Sequence, residues 1–336
     1  METLPWAWYT DPEILRREQE RIFRRAWQYA GPAEHVAEPQ TFLTCRAGDV
    51  PIVVVRDAAG ELRAFVNVCR HRGSIIAEGR GRGASLQCPY HAWTYALDGS
   101  LRAAPRADRE AGLDLSDVSL VPAQVDVWGP FVFVAPHAEA PPLAETLGRL
   151  PDIVPELASL RFHHRTDYAL EANWKIACEN YLECYHCPVA HRDFSAVVDV
   201  DPEAYALEEH ETFWSQFARL RADASAPGGQ FHLVFPNVKL NLYPGPPNVS
   251  IGPVLPEGPE RSVGVLDYFF PEDADEEWVR DLLAFDDQVG GEDMRLVESV
   301  QRGVRSGAIE HGRLLPESER LVAGFQRRIR ETLVDK

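Results

Sequence analysis

Positive charge is scarce in this sequence: 34 Lys and Arg stand against 52 Asp and Glu, a formal net charge of −18. A nucleic-acid groove draws its affinity from basic groups that displace phosphate counterions, so that class of function is excluded. Long apolar runs are missing as well. Nothing approaches the ~20 residues that cross a bilayer. Met1-Glu2-Thr3-Leu4-Pro5-Trp6 has no basic stretch leading into an apolar one, so neither a membrane span nor a secretory leader is expected. Cysteine is sparse, with 6 in 336 residues. Without a leader these point to the reducing cytoplasm, where clustered cysteines serve metals or catalysis more often than disulfides. No Gly-x-Gly-x-x-Gly loop follows a strand-like run, so no dinucleotide fold is expected, and no Cys-x4-Cys-x2-Cys series marks a plant-type ferredoxin cluster.

What is present suits a globular protein of two domains, with 45% hydrophobic and 26% charged residues over a chain long enough to bury a sizeable core. Residues 11–27 read as an amphipathic helix. Asp11-Pro12 supplies the cap and first-turn proline, and Ile14, Leu15, Ile22, Phe23 and Trp27 share an apolar face. This gives an N-terminal helical arm over residues 1–37, expected to pack on the C-terminal domain. From about 40 to 135 the pattern changes to short β-branched and aromatic runs such as Ile52-Val53-Val54-Val55 and Phe131-Val132-Phe133-Val134, divided by turns such as Asp98-Gly99. An all-β domain over residues 38–140 follows. Pro136, Pro141, Pro142, Pro151 and Pro155 mark a linker with a short helix over 136–160. The C-terminal domain, 141–336, mixes strands (162–170, 206–220, 230–243, 247–254, 261–270) with helices (172–187, 274–288, 291–306, 316–332). Gly290-Gly291 divides the middle two helices.

Inside the β region stands Cys69-Arg70-His71 and, after 16 intervening residues, Cys88-Pro89-Tyr90-His91. Each half offers one thiolate and one imidazole. Two thiolates on one iron and two imidazoles on the other form a Rieske [2Fe–2S] site, whose neutral imidazoles raise the potential. Gly73, Gly79, Gly81 and Gly83 allow tight turns around the sulfurs, and Pro89 stiffens the second loop. A Cys2His2 zinc site is the competing use of the same residues.

A second constellation runs from Asn173 to His191. Trp174, Ala177 and Tyr181 fit one helical face, and Glu183 and His186 lie one turn apart. Cys187 precedes Pro188, which disfavours continued helix, so the chain can bend and return His191 to the side of His186. Two imidazoles and one carboxylate on one face of a metal leave positions open for O2 and substrate, the triad of non-heme Fe(II) oxygenases. The carboxylate must come from farther along. Asp293, in Glu292-Asp293-Met294-Arg295, is the candidate, with Asp286 and Asp287 as competitors. Cys178, Cys184 and Cys187 are read as small buried residues.

Cys69-Arg70-His71-Arg72-Gly73-Ser74 with Cys88-Pro89-Tyr90-His91-Ala92-Trp93 resembles the Rieske domain of ring-hydroxylating oxygenase alpha subunits. It is less similar to the cytochrome bc-complex type, whose loops carry an extra cysteine pair. The segment from Glu183 to His191 resembles the iron motif of the same oxygenases. The resemblance implies an α+β chain: an all-β Rieske [2Fe–2S] domain and a catalytic domain with an antiparallel sheet flanked by helices. It implies Cys69, His71, Cys88 and His91 as cluster ligands, and His186, His191 and Asp293 as ligands of an Fe(2+) that uses O2 as cosubstrate. Glu183 takes the position of the carboxylate bridging the two centres, and Asn180 joins it among the catalytic residues. The family further implies a head-to-tail homotrimer and a separate reductase, at times with a ferredoxin, that feeds electrons from NAD(P)H.

Glu183 also bears on the substrate. Aromatic-ring dioxygenases of this family mostly place Asp there, and Glu-Asn-Tyr-Leu-Glu-Cys-Tyr-His-Cys-Pro is more similar to the group acting on choline, glycine betaine and carnitine. Trp214, Phe217, Phe231, Phe235, Tyr243, Tyr268 and Phe269 offer material for an aromatic cage around a methylated ammonium, or for a sheet core. The expected function is therefore hydroxylation or N-dealkylation of a small organic substrate such as a quaternary amine. The alternatives are an aromatic ring-hydroxylating dioxygenase and, from another class, a Rieske electron carrier, which would need only the first half of the chain.

Overall fold

The computed structural model describes residues 1–154, 157–222 and 228–334, so Pro155 of the expected linker lies outside the described residues. The chain divides into two compact units, Phe23–Glu145 and Met1–Ile22 with Thr146–Lys336. Among the described residues no helix is long and apolar enough to cross a membrane. A short helix α1 (Pro12–Glu18) opens the chain, capped by the Asp11 side chain, which accepts from the Glu13 N–H. A π-helical stretch, Gln19–Phe23, continues it and ends short of the expected 27, and β1 (Gln28–Pro32) then pairs antiparallel with a strand of the Phe23–Glu145 unit. Residues 28–32, read from sequence as part of the arm, therefore belong to that unit's sheet.

The Phe23–Glu145 unit is all β. After β1 come β2 (Thr41–Ala47), β3 (Val50–Arg56), β4 (Leu62–Val66) and β5 (Arg80–Arg82). They are followed by β6 (Leu86–Gln87), β7 (Thr94–Tyr95), β8 (Leu101–Ala103), β9 (Pro122–Trp128) and β10 (Phe131–Ala135). Seven of them form one sheet in the order β1-β10-β9-β4-β3-β2-β5, and β6-β7-β8 form a small second sheet. Strand period 2, with both faces covered, explains why β3 is apolar from Val50 to Val55. Ile52 and Val54 pack on one face with Ala64, Val132 and Val134, while Val53 and Val55 pack on the other with Cys69, Cys88 and Tyr95.

Short helices α2 (Leu143–Leu147) and α3 (Leu150–Ile153) lead on to β11 (Leu160–Leu170). Then come α4 (Trp174–Tyr181), α5 (Cys187–Ala190), α6 (Arg192–Val197) and β12 (Val198–Asp199). The strands β13 (Ala206–Glu209), β14 (Phe213–Phe217), β15 (Arg219–Leu220), β16 (Gln230–Val234), β17 (Val238–Leu242), β18 (Val249–Gly258) and β19 (Arg261–Pro271) follow. Helices α7 (Glu276–Arg305) and α8 (Arg320–Leu333) close the chain. Seven strands make an antiparallel sheet in the order β11-β19-β18-β17-β16-β14-β13. The expected strands 206–220 and 230–243 are each hairpins, because β13 turns back onto β14 and β16 onto β17. The two expected helices around Gly290-Gly291 are one helix of 30 residues. Each glycine costs about 1 kcal/mol there relative to alanine. Asp275 caps the start, Glu276 and Glu277 suit the positive end of the helix dipole, Arg302 and Arg305 suit the negative end, and an apolar stripe packs inward, so the helix continues.

The arm is held to α4 by a buried ion pair. The Lys175 ammonium donates to Glu18 Oε1 at 2.6 Å, both side chains being 0% exposed. The Trp174 indole donates to Glu18 Oε2 at 2.8 Å. Removing one partner of such a pair strands the other charge, so Glu18→Ala is expected to destabilise the protein by ~3–5 kcal/mol. Denaturant unfolding checks this; a loss below ~1 kcal/mol would mean that water reaches Lys175 once Glu18 is gone.

Candidate metal centres and active-site cavity

In the β unit two loops of the same design face each other. The Cys69 N–H donates to the Ser74 carbonyl at 2.8 Å and the Gly73 N–H to the Cys69 carbonyl at 3.0 Å; Cys88 repeats both bonds with Trp93 and Ala92, at 2.8 and 3.0 Å. The fourth residue after each cysteine is left-handed, Gly73 at φ +76° and Ala92 at φ +58°. Glycine adopts that region freely and alanine does so only against resistance. Cys69 and Cys88 are 2% exposed, whereas His71 and His91 lie at the surface with their rings edge-on, centroids 4.7 Å apart. The Tyr95 hydroxyl reaches Cys69 Sγ at 3.3 Å. Burial works to raise the Cys88 thiol, but the N–H groups of Tyr90 and His91, with Cys69 and Ser74, bring it below the ordinary thiol value. Two buried sulfurs in a nest of backbone donors, with two outward imidazoles, match what a [2Fe–2S] cluster of Rieske type requires of its ligands.

In the other unit α4 ends at Tyr181 and the chain turns. Glu183 organises the turn: its Oε2 accepts the His186 N–H at 3.2 Å, and its Oε1 takes the His186 Nδ1 at 2.6 Å. The expected helical relation of Glu183 to His186 is thus replaced by a turn closed by the carboxylate. Cys187 begins the short α5 with Pro188 in its first turn, after which His191 stands beside His186, with the two Nε2 atoms 3.1 Å apart. Asp293, midway along α7, brings its Oδ1 to 3.0 Å from His191 Nε2 and 3.4 Å from His186 Nε2. Asn180 Nδ2 donates to that same oxygen at 2.7 Å. His191 Nδ1 meets Glu292 Oε2 at 2.7 Å.

Each imidazole therefore has a carboxylate on Nδ1, which fixes the Nδ1–H tautomer and turns both Nε2 lone pairs toward Asp293. Two lone pairs and a carboxylate facing one another at this range repel unless a proton or a metal cation lies between them. Burial lowers the His186 imidazole, but Asp293 and Glu183 overcome it and hold it up at about 9. Burial likewise raises Asp293, yet the two histidines bring it well below the usual carboxylate range. The site is built for a cation. Among the described residues, His186, His191 and Asp293 are the group of metal-ligating side chains whose ligand atoms lie within 4.8 Å of one another.

These residues line a cavity of about 380 Å³ between one face of the antiparallel sheet and helices α4 and α7. Period 2 supplies its walls: Thr166, Tyr168 and Leu170 from β11, and Lys239, Asn241 and Tyr243 from β17 and its end. Phe194, Phe231 and Tyr243 form a chain of aromatic contacts, with Phe194 6.4 Å from the His191 ring, Phe231 6.1 Å from Phe194 and Tyr243 5.8 Å from Phe231. Gly290 and Gly291 also line the cavity, where a Cβ would meet open space, so their missing side chains enlarge it.

Of the aromatic residues singled out in the sequence, Phe231, Tyr243 and Tyr268 line the cavity, whereas Trp214 and Phe269 are buried and absent from its lining. Asp286 and Asp287 line it too; the Tyr243 and Tyr268 hydroxyls both donate to the Asp286 carboxylate, and it is Asp293 that lies within 3.4 Å of both histidines. Cys178 is a free, buried thiol. Cys184 and Cys187, expected as small buried residues with no role, form a disulfide bracketing His186. The turn that Glu183 and Pro188 impose brings their α-carbons to 5.0 Å, within the span of a disulfide. Sequence reasoning passed over Glu292 and Lys239. Glu292 could have been found from the rule that a metal-binding histidine pairs its second nitrogen with a carboxylate; a lysine in an apolar strand offers no such rule.

The family model of the ring-hydroxylating alpha subunit catalytic domain matches residues 157–334, and that of the Rieske [2Fe–2S] domain matches 26–125. The chloroplastic choline monooxygenase of Spinacia oleracea is 35% identical over 98% of this chain and 78% of its own. The carnitine monooxygenase oxygenase subunit of Acinetobacter pittii is 33% identical over 95% and 90%. Among solved structures, a quaternary ammonium Rieske monooxygenase, described for its insights into carnitine oxidation and inter-subunit electron transfer, superposes with a TM-score of 0.89 at 30% identity, over 99% of this chain and 96% of that one.

Proposed function

The chain belongs to the ring-hydroxylating alpha subunits, Rieske non-heme iron oxygenases with a [2Fe–2S] cluster and Fe(2+) as cofactors, and on that footing we propose that it oxidises a small quaternary amine. The observation that carries the substrate is the row of Phe194, Phe231 and Tyr243 rings beginning beside His191, within reach of the Asp286 carboxylate. Aromatic faces and a carboxylate are the surroundings a methylated ammonium prefers over water. Similarity to choline and carnitine monooxygenases supports the same reading over the aromatic-ring alternative. The electron-carrier alternative leaves the whole catalytic domain without a purpose.

When bound, the cluster supplies single electrons and the iron supplies O2 activation. In this proposal Cys69, His71, Cys88 and His91 hold the cluster, with the two imidazoles outermost. His186, His191 and Asp293 hold the iron. Glu183 and Glu292 fix the imidazole tautomers, and Asn180 fixes the Asp293 oxygen. The aromatic row excludes water and presents an N-methyl or adjacent carbon beside the His pair. A homotrimer in which Glu183 meets His91 of a neighbouring subunit, fed by a separate NAD(P)H-dependent reductase, completes the proposed electron route. The two surface imidazoles suit such a hand-over. Iron-loaded enzyme with a generic reductase is expected to consume O2 and form oxidised product with choline, carnitine or γ-butyrobetaine, and not with naphthalene. Turnover of the aromatic hydrocarbon alone would transfer the chain to the dioxygenase reading.

A further inference from the structure

Lys239 is a feature of the cavity that a purely cationic substrate leaves unexplained. It stands on β17, opposite Gly252 of β18, and points to the face of the sheet that lines the cavity. Its ammonium lies over the Tyr168 ring at 5.0 Å and the Tyr181 ring at 5.7 Å. Among the described residues it makes no ion pair, and three of the cavity's carboxylates are committed elsewhere: Asp293 to the histidines and Asn180, Glu183 to His186, and Asp286 to two tyrosine hydroxyls. Burial works to lower this ammonium, yet the Tyr168 hydroxyl, Asp286 and Cys178 hold it above the ordinary lysine value, so it is charged. An ammonium in a pocket between rings, facing empty volume and with no carboxylate at ion-pair distance, is costly in the free enzyme. The same arrangement attracts an anionic group that enters with the ligand and repels a ligand whose only charge is positive.

We infer that Lys239 is the anion anchor of the cavity and receives a carboxylate of the substrate. The substrate is then a zwitterion, a quaternary amine that also bears a carboxylate, rather than an ammonium alcohol. The inference rests on the quaternary-amine reading above and adds to it: the aromatic row and Asp286 take the ammonium end, and Lys239 with Tyr168 takes the acid end. A preference between substrate classes thereby falls to one residue outside the metal centre.

The test is equilibrium binding to iron-loaded holoenzyme under anaerobic conditions, with γ-butyrobetaine, choline and butyrate as probes. Wild-type enzyme is expected to bind γ-butyrobetaine at least about 10-fold more tightly than choline. Lys239→Met should collapse that ratio by roughly 30-fold or more, the effect of removing one partner of a desolvated charge pair. Lys239→Arg should keep most of it. Iron content and the cluster spectrum verify that the variants are intact. Equal wild-type affinity for γ-butyrobetaine and choline overturns the inference without recourse to any variant, as does a Met variant that keeps the preference. If wild-type enzyme binds neither amine but binds butyrate in a Lys239-dependent manner, the quaternary-amine reading fails while the anchor stands. If it binds none of the three, both fail.

Discussion

Asp293→Ala enzyme is expected to contain two irons per chain where the wild type contains three, with its visible Rieske spectrum unchanged. The argument is geometric. Asp293 Oδ1 sits 3.0 and 3.4 Å from the two histidine Nε2 atoms, and in the proposed iron site it would supply the charge that lets two facing imidazole lone pairs share a cation. Removing a supporting carboxylate from a metal site typically costs 10- to 100-fold in affinity. Losing the direct donor should cost at least about 100-fold, and product formation should fall below roughly 1% of wild type. His186→Ala and His191→Ala should behave alike. Metal analysis with the visible spectrum as internal control reads this directly. Retention of the third iron in Asp293→Ala would move the ligand to Glu292, which is already bonded to His191.

The second large effect concerns Glu183. Its carboxylate holds His186 Nδ1 at 2.6 Å and also closes the turn through the His186 N–H. Glu183→Gln keeps the size and one acceptor oxygen, which can hold the His186 Nδ1–H while the backbone bonds to the other oxygen are lost, so the tautomer should survive and both metal sites should fill. The charge is lost, and with it the charge-assisted bonds that would link His186 to an imidazole of a neighbouring subunit. Single-turnover oxidation of the reduced cluster, with substrate and O2 present, is expected to slow by about 10- to 100-fold, and more in Glu183→Ala. A Gln variant that oxidises its cluster at the wild-type rate but binds iron poorly would reduce Glu183 to a residue that positions His186.

Both predictions turn on residues whose chemistry was legible before any fold was known. Two Cys/His pairs in a β region, and Glu, His and His at the end of a helix, carry their meaning in residue type and spacing, because metal ligation demands particular donor atoms close together. Short-range geometry was less legible. Glu183 was placed on a helix with His186, but the helix stops at Tyr181 and the carboxylate itself builds the turn. Gly290-Gly291 read as a break, and α7 runs through it, since capping and a packed apolar stripe outweigh a local propensity of about 1 kcal/mol per glycine. Cys184 and Cys187 read as inert, and the same turn made them a disulfide.

The sequence by itself pointed to the family, to its two cofactors and to candidate ligands for each, since these depend on donor chemistry and on residues near one another along the chain. Only the tertiary structure set Asp286 and Asp293 apart. Asp286 and Asp293 lie two turns apart on one helix, and the difference lies in what the sheet sets opposite each: two tyrosine hydroxyls for Asp286, two imidazoles for Asp293. Only the tertiary structure, likewise, turned Lys239 from one more residue of a strand into a charge at the wall of the cavity. Strand register and helix packing bring together groups more than 100 residues apart, and the free energy of a buried charge is set by those neighbours, which the linear order of the chain does not contain.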